Sequence, residues 1–286
     1  MKILVTGAKG FTASHLLSVL KENTSNEIFL SDIHTDCQER YYSCDLSDPD
    51  IVFRMLYQIR PDQIYHLAGV YSNQYDEDYR VNVVSTKNLC DSMVSLGGAG
   101  RLLLVGSAAE YGTVSTEDNP VRENKSLRPV SVYGLSKSFQ THIMNYYVTV
   151  YGLDIVMART FNILGKGLSN RLFIGRLYQQ IEDYREGKIE KIKLGNLLHK
   201  RDYLPIAKVV EYYMAIMAAG DSGVVYNVGS GKSIRIHDLL ELILKEHQLP
   251  MSIVESDTMY IPGKLDIEDI YADTGKLDAL LSSNRI

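Results

Sequence analysis

The chain has 286 residues with Lys+Arg 30 against Asp+Glu 35, a formal net charge of −5. Its length exceeds one average domain, and a hydrophobic share of 45% with 23% charged residues is globular composition. Disorder is therefore excluded, and one large or two fused units are expected. The mild acidity argues against nucleic acid as a partner. The most apolar stretch, around residues 209–220, is broken by Glu211, so no membrane span is expected. The chain passes straight into Met1-Lys2-Ile3-Leu4-Val5 without a long apolar region, so no signal peptide is expected. Cys37, Cys44 and Cys90 show no metal-type spacing. Such a sparse, odd set points to a reducing cytoplasm, and no metal is expected.

In chain order, residues 3–6 are a short apolar run and 11–22 have helical spacing. Residues 27–31 are apolar again, 51–59 helical, and 63–68 read as a strand. Residues 81–96 are helical, 102–106 a continuous apolar run, 132–151 a long helix and 154–158 a strand. This alternation predicts βαβ units and a parallel sheet covered on both faces, an α/β fold. The second half is less regular, with helices expected over 171–185, 206–219 and 236–247 and strands over 190–195 and 224–228. No linker or repeat separates the halves, so two interleaved parts are expected.

Residues 1–16 read as strand, tight turn and helix. Gly7 and Gly10 remove Cβ atoms where the backbone must turn and let a pyrophosphate approach the free N–H groups of the following helix. Ala13, at a place where a third glycine is common, is small enough for close packing. Asp32 follows at the end of the second strand, where a carboxylate can accept from the adenosine ribose hydroxyls and repel a 2′-phosphate.

Tyr133 and Lys137 lie four apart on the long helix and share one face. A lysine ammonium beside the phenol is expected to lower its pKa and make it a usable proton donor or acceptor. The same spacing recurs at Tyr184/Lys188 and Tyr260/Lys264. Pro262 and Gly263 argue against a helix through the last pair, and Glu182, Asp183 and Glu186 mark the other as a solvated helix end. Tyr133 stands apart because Ser107 ends the apolar strand upstream, and ligands of open α/β sheets bind beyond the carboxyl ends of the strands.

With these elements in order, the chain resembles the extended short-chain dehydrogenase/reductase family, in its nucleotide-sugar epimerase/dehydratase/reductase branch. Thr6-Gly7-Ala-Lys-Gly10-Phe11 looks like the cofactor turn, Cys44-Asp45-Leu46 the Asp-Leu element, and His66-Leu67-Ala68-Gly69 the strand-four motif. Ser107, Tyr133 and Lys137 match the catalytic set, Arg159-Thr-Phe161-Asn162 the passage from nicotinamide to sugar, and Lys200-Arg201-Asp202-Tyr203 an Arg-Asp-aromatic element. The resemblance implies a Rossmann-type doubly wound parallel sheet with a smaller interleaved C-terminal substrate-binding domain. The dinucleotide-binding part would be residues 1–165 and 205–230, and the substrate part 166–204 and 231–286. It implies NAD as cofactor, with NADP as the other candidate, held by Gly7, Gly10, Phe11, Thr12, Asp32, Ile33, Asp45, Leu46, Leu67, Ala68, Gly69, Asn82, Tyr133, Lys137 and Phe161. Of these, Asn82 matches a structural asparagine of helix four. Ser107, Asn162 and Arg201 would meet a nucleoside-diphosphate sugar, Arg201 at the diphosphate. The arginine that many relatives carry before Asp273-Thr-Gly-Lys276-Leu277 is not evident; Lys264 is the nearest basic residue.

The branch's dehydratases typically carry a glutamate two residues after the catalytic Ser/Thr. Here that place is Ala109, so dehydration is disfavoured, and Glu110 is expected to point elsewhere on an extended segment. The expected reaction is reduction of the C4 ketone of a nucleoside-diphosphate 4-keto-6-deoxyhexose. A 4-epimerase that retains its NAD is the alternative, and a non-catalytic dinucleotide-binding sensor the third reading. The resemblance further implies a homodimer through residues 81–96 and 132–151, with Met144, Tyr147, Val148 and Tyr151 in excess of what one sheet face needs.

Overall fold

The computed structural model describes residues 1–256 and 267–283. In chain order it places β1 (Lys2–Thr6), α1 (Phe11–Leu20), β2 (Glu27–Asp32), β3 (Tyr41–Ser43), α2 (Pro49–Ile59), β4 (Gln63–His66) and α3 (Tyr75–Asp78). There follow α4 (Ser85–Ser95), β5 (Arg101–Ser107), α5 (Val132–Tyr151), β6 (Asp154–Thr160), β7 (Asn162–Leu164) and α6 (Phe173–Arg185). The remainder is β8 (Ile192–Leu194), β9 (Lys200–Arg201), β10 (Tyr203–Pro205), α7 (Ile206–Ala219), β11 (Val225–Val228), β12 (Ile234–Arg235), α8 (Ile236–Glu246), β13 (Val254–Ser256), β14 (Asp269–Ile270) and α9 (Gly275–Ser283).

The main sheet has seven parallel strands in the order β11-β6-β5-β4-β1-β2-β3. Its central strands are buried on both faces, as their unbroken apolar runs require. Leu16 of α1, Val209 and Ile216 of α7 and Leu277 of α9 cover one face, while Val52 of α2, Leu89 of α4 and Met144 of α5 cover the other. The order reverses between β1 and β4, which opens a crevice at the carboxyl ends of the strands. A separate apolar cluster joins Ile174 and Leu177 of α6, Ile192 of β8 and Leu240 and Ile243 of α8. The last helix, counted above with the smaller part, instead packs Leu277, Leu280 and Leu281 into the sheet's own cluster.

The helix ends follow from local chemistry. The Asp48 carboxylate accepts from the Asp50 and Ile51 amides and Pro49 occupies the first turn of α2. The Ser131 hydroxyl caps α5 by accepting from Gly134 N–H, and Gly152 ends it in the left-handed region. One expected helix differs. The stretch 81–96 begins earlier, as a π-turn over Tyr79–Val84 that runs into α4. The extra residue in that turn rotates Asn82 inward, where its side chain finds partners on two other elements. Among the described residues no helix is long and apolar enough to cross a membrane.

Candidate active site

The cofactor turn is built on close approach. Gly7 has φ +67°, and a Cβ there would stand 2.7 Å from Ala68 Cα, so β1 and the segment after β4 touch only because the residue is glycine. Gly10 N–H donates back to the Gly7 carbonyl at 2.9 Å, and no side chain caps the start of α1. The first amides of α1 thus remain available to an anion, which is the arrangement a pyrophosphate needs. Phe11 and Thr12 begin that helix, with the Phe11 ring reaching toward Gly165. Asp32 ends β2 beside the turn; it accepts from Lys9 N–H at 3.0 Å and from His34 N–H at 3.1 Å. Its burial opposes ionisation, but these hydrogen bonds and the His34 side chain win, and its pKa lies below the usual value. Ile33 beside it is exposed. Asp45 accepts from Ser47 and pairs with Arg80 at 3.0 Å, and Leu46 is buried next to it. Gly7, Gly10, Asp32 and the Leu67–Gly69 backbone therefore fit a dinucleotide laid along the crevice.

The Asn82 amide is fully engaged by the protein. It accepts from Val70 N–H at 2.9 Å and donates to the Val70 carbonyl at 3.0 Å and Ser136 Oγ at 2.9 Å. It acts on the crevice by fixing the segment after Gly69.

Ser107, Tyr133 and Lys137 come together. Ser107 ends β5 opposite Thr160 of β6. A Cβ on Gly134 would stand 2.4 Å from the Ala109 carbonyl oxygen, so the first turn of α5 rests directly on the 3₁₀ turn that follows Ser107. That contact sets Tyr133 beside Ser107, whose hydroxyl favours the ionised phenol. Asn73, in the left-handed region, accepts from Tyr133 N–H at 3.3 Å, and the Tyr71 ring meets the Tyr133 ring edge-on at 5.0 Å. Lys137 Nζ lies 5.9 Å from the centroid of the Tyr133 ring and donates to the Val105 carbonyl at 2.9 Å and Gln140 Oε1 at 2.8 Å.

The expected lowering of the Tyr133 pKa is not found. Burial pushes it up to about 12, the Ser107 hydroxyl opposes that, and Glu110, Asp78 and Tyr71 add to the rise. Burial brings Lys137 down to about 8 against the pull of Glu110 and Asp78. Desolvation outweighs the mutual attraction expected from spacing alone.

Glu110 also departs from expectation, because the segment after Ser107 is not extended. It closes into a 3₁₀ turn over Ala108–Glu110 whose glutamate folds back, accepting from Ser107 N–H at 2.7 Å. Its other oxygen accepts from Thr141 Oγ1 at 2.6 Å and pairs with Arg159 Nη2 at 3.0 Å, both charged side chains being fully buried. Arg159 further donates to the Tyr111 hydroxyl at 3.1 Å. Sequence reasoning missed this pair, whose members are far apart in the chain and resemble a loop acid and a strand end.

Phe161 is buried against Tyr111. Asn162 Nδ2 donates to the Asp202 carbonyl at 3.1 Å. Arg201 donates to the Lys200 and Ile267 carbonyls. Its neighbour Asp202 turns inward, accepting from Ser230 N–H at 2.7 Å and Ala272 N–H at 3.1 Å. The pair Tyr184/Lys188 ends α6 among charges, with Lys188 against Glu186 at 2.5 Å. Tyr260/Lys264 lies outside the described residues. Among the described residues no group of three or more His, Cys, Asp or Glu side chains can hold a metal ion.

A glycine turn at the first strand, an acid at the second and a Ser/Tyr/Lys set at the crevice define a nicotinamide-dependent short-chain dehydrogenase type of fold and site. More particularly, residues 3–229 match the model of the NAD dependent epimerase/dehydratase family, and the chain belongs to that family. It is similar to GDP-6-deoxy-D-mannose reductase of Pseudomonas aeruginosa, 28% identical over 260 residues, covering 89% of this chain and 83% of that one. It is similar to GDP-6-deoxy-D-talose 4-dehydrogenase of Aggregatibacter actinomycetemcomitans, 27% identical over 288 residues and covering 99% and 92%. The fold matches the structure of RMD from Pseudomonas aeruginosa complexed with NADPH, with a TM-score of 0.84, 24% identity and coverage of 98% and 91%.

Proposed function

We propose that the chain reduces the C4 ketone of a nucleoside-diphosphate 4-keto-6-deoxyhexose. The observation that carries this reading is the convergence of Ser107, Tyr133 and Lys137, with the only nearby carboxylate of that turn, Glu110, folded away into its pair with Arg159. A bound reduced nicotinamide supplies the hydride. Tyr133, neutral at pH 7 as any tyrosine of ordinary or raised pKa is, donates its proton to the sugar oxygen. Ser107 orients that oxygen, and Lys137 places a positive charge beside it. With Ala109 in place of a second acid/base group, abstraction of a proton next to the ketone has no agent. Two relatives named for a 6-deoxyhexose reductase and a 4-dehydrogenase support reduction over the alternative, a 4-epimerase.

Asp32, lowered in pKa and beside the turn, supports NADH over NADPH. Asn162 and Arg201 are proposed to meet the sugar and the diphosphate, and the cluster around α6 and α8 supports a smaller unit that holds them. The three free cysteines support a reducing compartment, the cytoplasm. A homodimer is proposed with a corrected face. Met144 and Tyr147 are consumed by the core, whereas Tyr146, Val150 and Tyr151 remain exposed, with the stacked Tyr75 and Tyr79. Covering these aromatics against a second copy removes an exposed apolar patch.

The test is turnover of a GDP- or dTDP-linked 4-keto-6-deoxyhexose with NADH and with NADPH, followed by absorbance, with light scattering for assembly. Tyr133→Phe is expected to keep cofactor binding and lose about 10²–10⁴-fold in rate. Tyr184→Phe is expected to change nothing. A Tyr133→Phe enzyme with full activity overturns the site. Interconversion of C4 epimers without net absorbance change transfers the reading to an epimerase.

A further inference from the structure

Behind Lys137 runs a chain of buried polar side chains that the reaction as proposed does not use. Lys137 Nζ donates to Gln140 Oε1 at 2.8 Å, and Gln140 Nε2 donates to Thr86 Oγ1 at 2.6 Å. Thr86 Oγ1 lies 3.2 Å from His66 Nε2, and His66 Nδ1 lies 2.8 Å from Thr6 Oγ1 at the end of β1. Each of these residues is buried.

The donors settle the direction of every link. The Thr86 hydroxyl spends its single proton on the Asn82 carbonyl at 2.7 Å. It can therefore only accept from Gln140 and from His66, so His66 carries its proton on Nε2. Nδ1 is then bare and accepts from the Thr6 hydroxyl, which in turn accepts from Ala68 N–H at 3.3 Å. Burial and the nearby Lys137 charge hold the His66 pKa down at about 3, so the ring stays neutral and keeps this tautomer. No carboxylate interrupts the chain between Lys137 and Thr6. Because the two threonine hydroxyls and both His66 ring nitrogens each have a fixed donor or acceptor role, the chain holds position.

We propose that Gln140 is the positioning residue of Lys137, its amide bridging the ammonium to a neutral chain anchored on β1. This rests on the reading of Lys137 as the partner of Tyr133. With two of its three N–H groups bound to Val105 and Gln140, the ammonium has one left. The open side is that of Gly69, where a Cβ would stand 3.5 Å from Nζ, on the backbone along the crevice. A neutral acceptor fixes the ammonium without cancelling its charge, which the reaction needs beside Tyr133. The charged and titratable groups facing Lys137 are Glu110 from the turn after β5, itself paired with Arg159, then Asp78 from α3, His66 from β4 and Tyr133 on its own helix.

The experiment compares wild type, Gln140→Leu and Gln140→Glu by two readouts. The first is the titration of Lys137 in the free enzyme, followed by NMR of 15N-labelled lysine and assigned with Lys137→Arg. The second is the pH profile of kcat with NADH and a nucleotide-linked 4-keto-6-deoxyhexose. In wild type the protonated lysine is the active form, so the rate falls as pH rises through about 8. Losing a hydrogen bond to the charged form lowers the pKa, so Gln140→Leu moves the titration and the alkaline limb down by about one unit. A carboxylate at that distance favours the charge, so Gln140→Glu moves both up by about 1–3 units. If Gln140→Leu does not fold, the upward shift in Gln140→Glu decides alone. Turnover with unshifted titrations in both variants overturns the positioning role. Shifted titrations in a wild type that turns over no such sugar leave that role standing and overturn the proposed reaction.

Discussion

Two buried polar systems meet behind the candidate site, and they are built on opposite plans. Under Ser107 lies a charged one, in which Glu110 and Arg159 pair at 3.0 Å with Thr141 and Tyr111 as auxiliary partners. Behind Lys137 lies an uncharged one of Gln140, Thr86, His66 and Thr6. Ser107 is neutral, and its N–H donates to a carboxylate oxygen at 2.7 Å. Lys137 is charged, and its side-chain partner Gln140 is a neutral amide that fixes the ammonium without cancelling its charge. The difference shows that the charge carried by the supported residue selects the chemistry of its support.

Breaking the charged system is expected to have the largest effect. Glu110→Ala leaves the Arg159 guanidinium buried without its counter-ion, whose attraction overcomes a burial that opposes the charge. The expected loss is about 3–5 kcal/mol of unfolding free energy by urea titration. A loss under 1 kcal/mol would show that water reaches the pair.

The neutral system is expected to cost less. Thr86→Val preserves shape but leaves His66 Nε2–H and the Gln140 amide without an acceptor, for about 1–3 kcal/mol. The comparison fails if Thr86→Val destabilises more than Glu110→Ala does.

The smallest effect over the range tested, about 1 kcal/mol between pH 7.0 and 5.5, is a pH dependence. The folded-state pKa of His66 is depressed, so folding keeps the ring neutral while the unfolded chain takes up a proton below about 6.5. Stability from this group is full above that pH and falls by about 1.4 kcal/mol per unit as pH drops toward 3. Unfolding at pH 7.0 and 5.5, in wild type and in His66→Asn, isolates that contribution. An unchanged pH slope in His66→Asn would assign it to other groups.

Much of this site was legible because its main signals are local. The long helix was expected at its observed bounds, 132–151, and the structure ends it with a Ser131 cap and a left-handed Gly152. The turn around Gly7 was legible because its geometry admits glycine alone. The supports were not. Glu110 and Arg159 are joined only by the neighbouring strands β5 and β6, and nothing near either residue announces the other. Gln140 reads as an ordinary helix position until Thr86 is brought beside it. The π-turn over Tyr79–Val84 escaped because its hydrogen bonds span one residue more than an α-helix's, a change too small to show in the apolar spacing. The three-residue strand β3 is too short for alternation to show.

The run of hydrogen bonds from Lys137 to Thr6 bears on how this site can be moved. A designer who grafts Ser107, Tyr133 and Lys137 onto another parallel sheet would copy three side chains and leave their lysine hanging from a single backbone carbonyl. The portable unit is larger, comprising the ends of β1, β4 and β5, one turn of α4 and the first three turns of α5. Three of those pieces carry no reacting atom, so a transplant judged only by the geometry of its reacting groups would pass inspection and still lack a held charge.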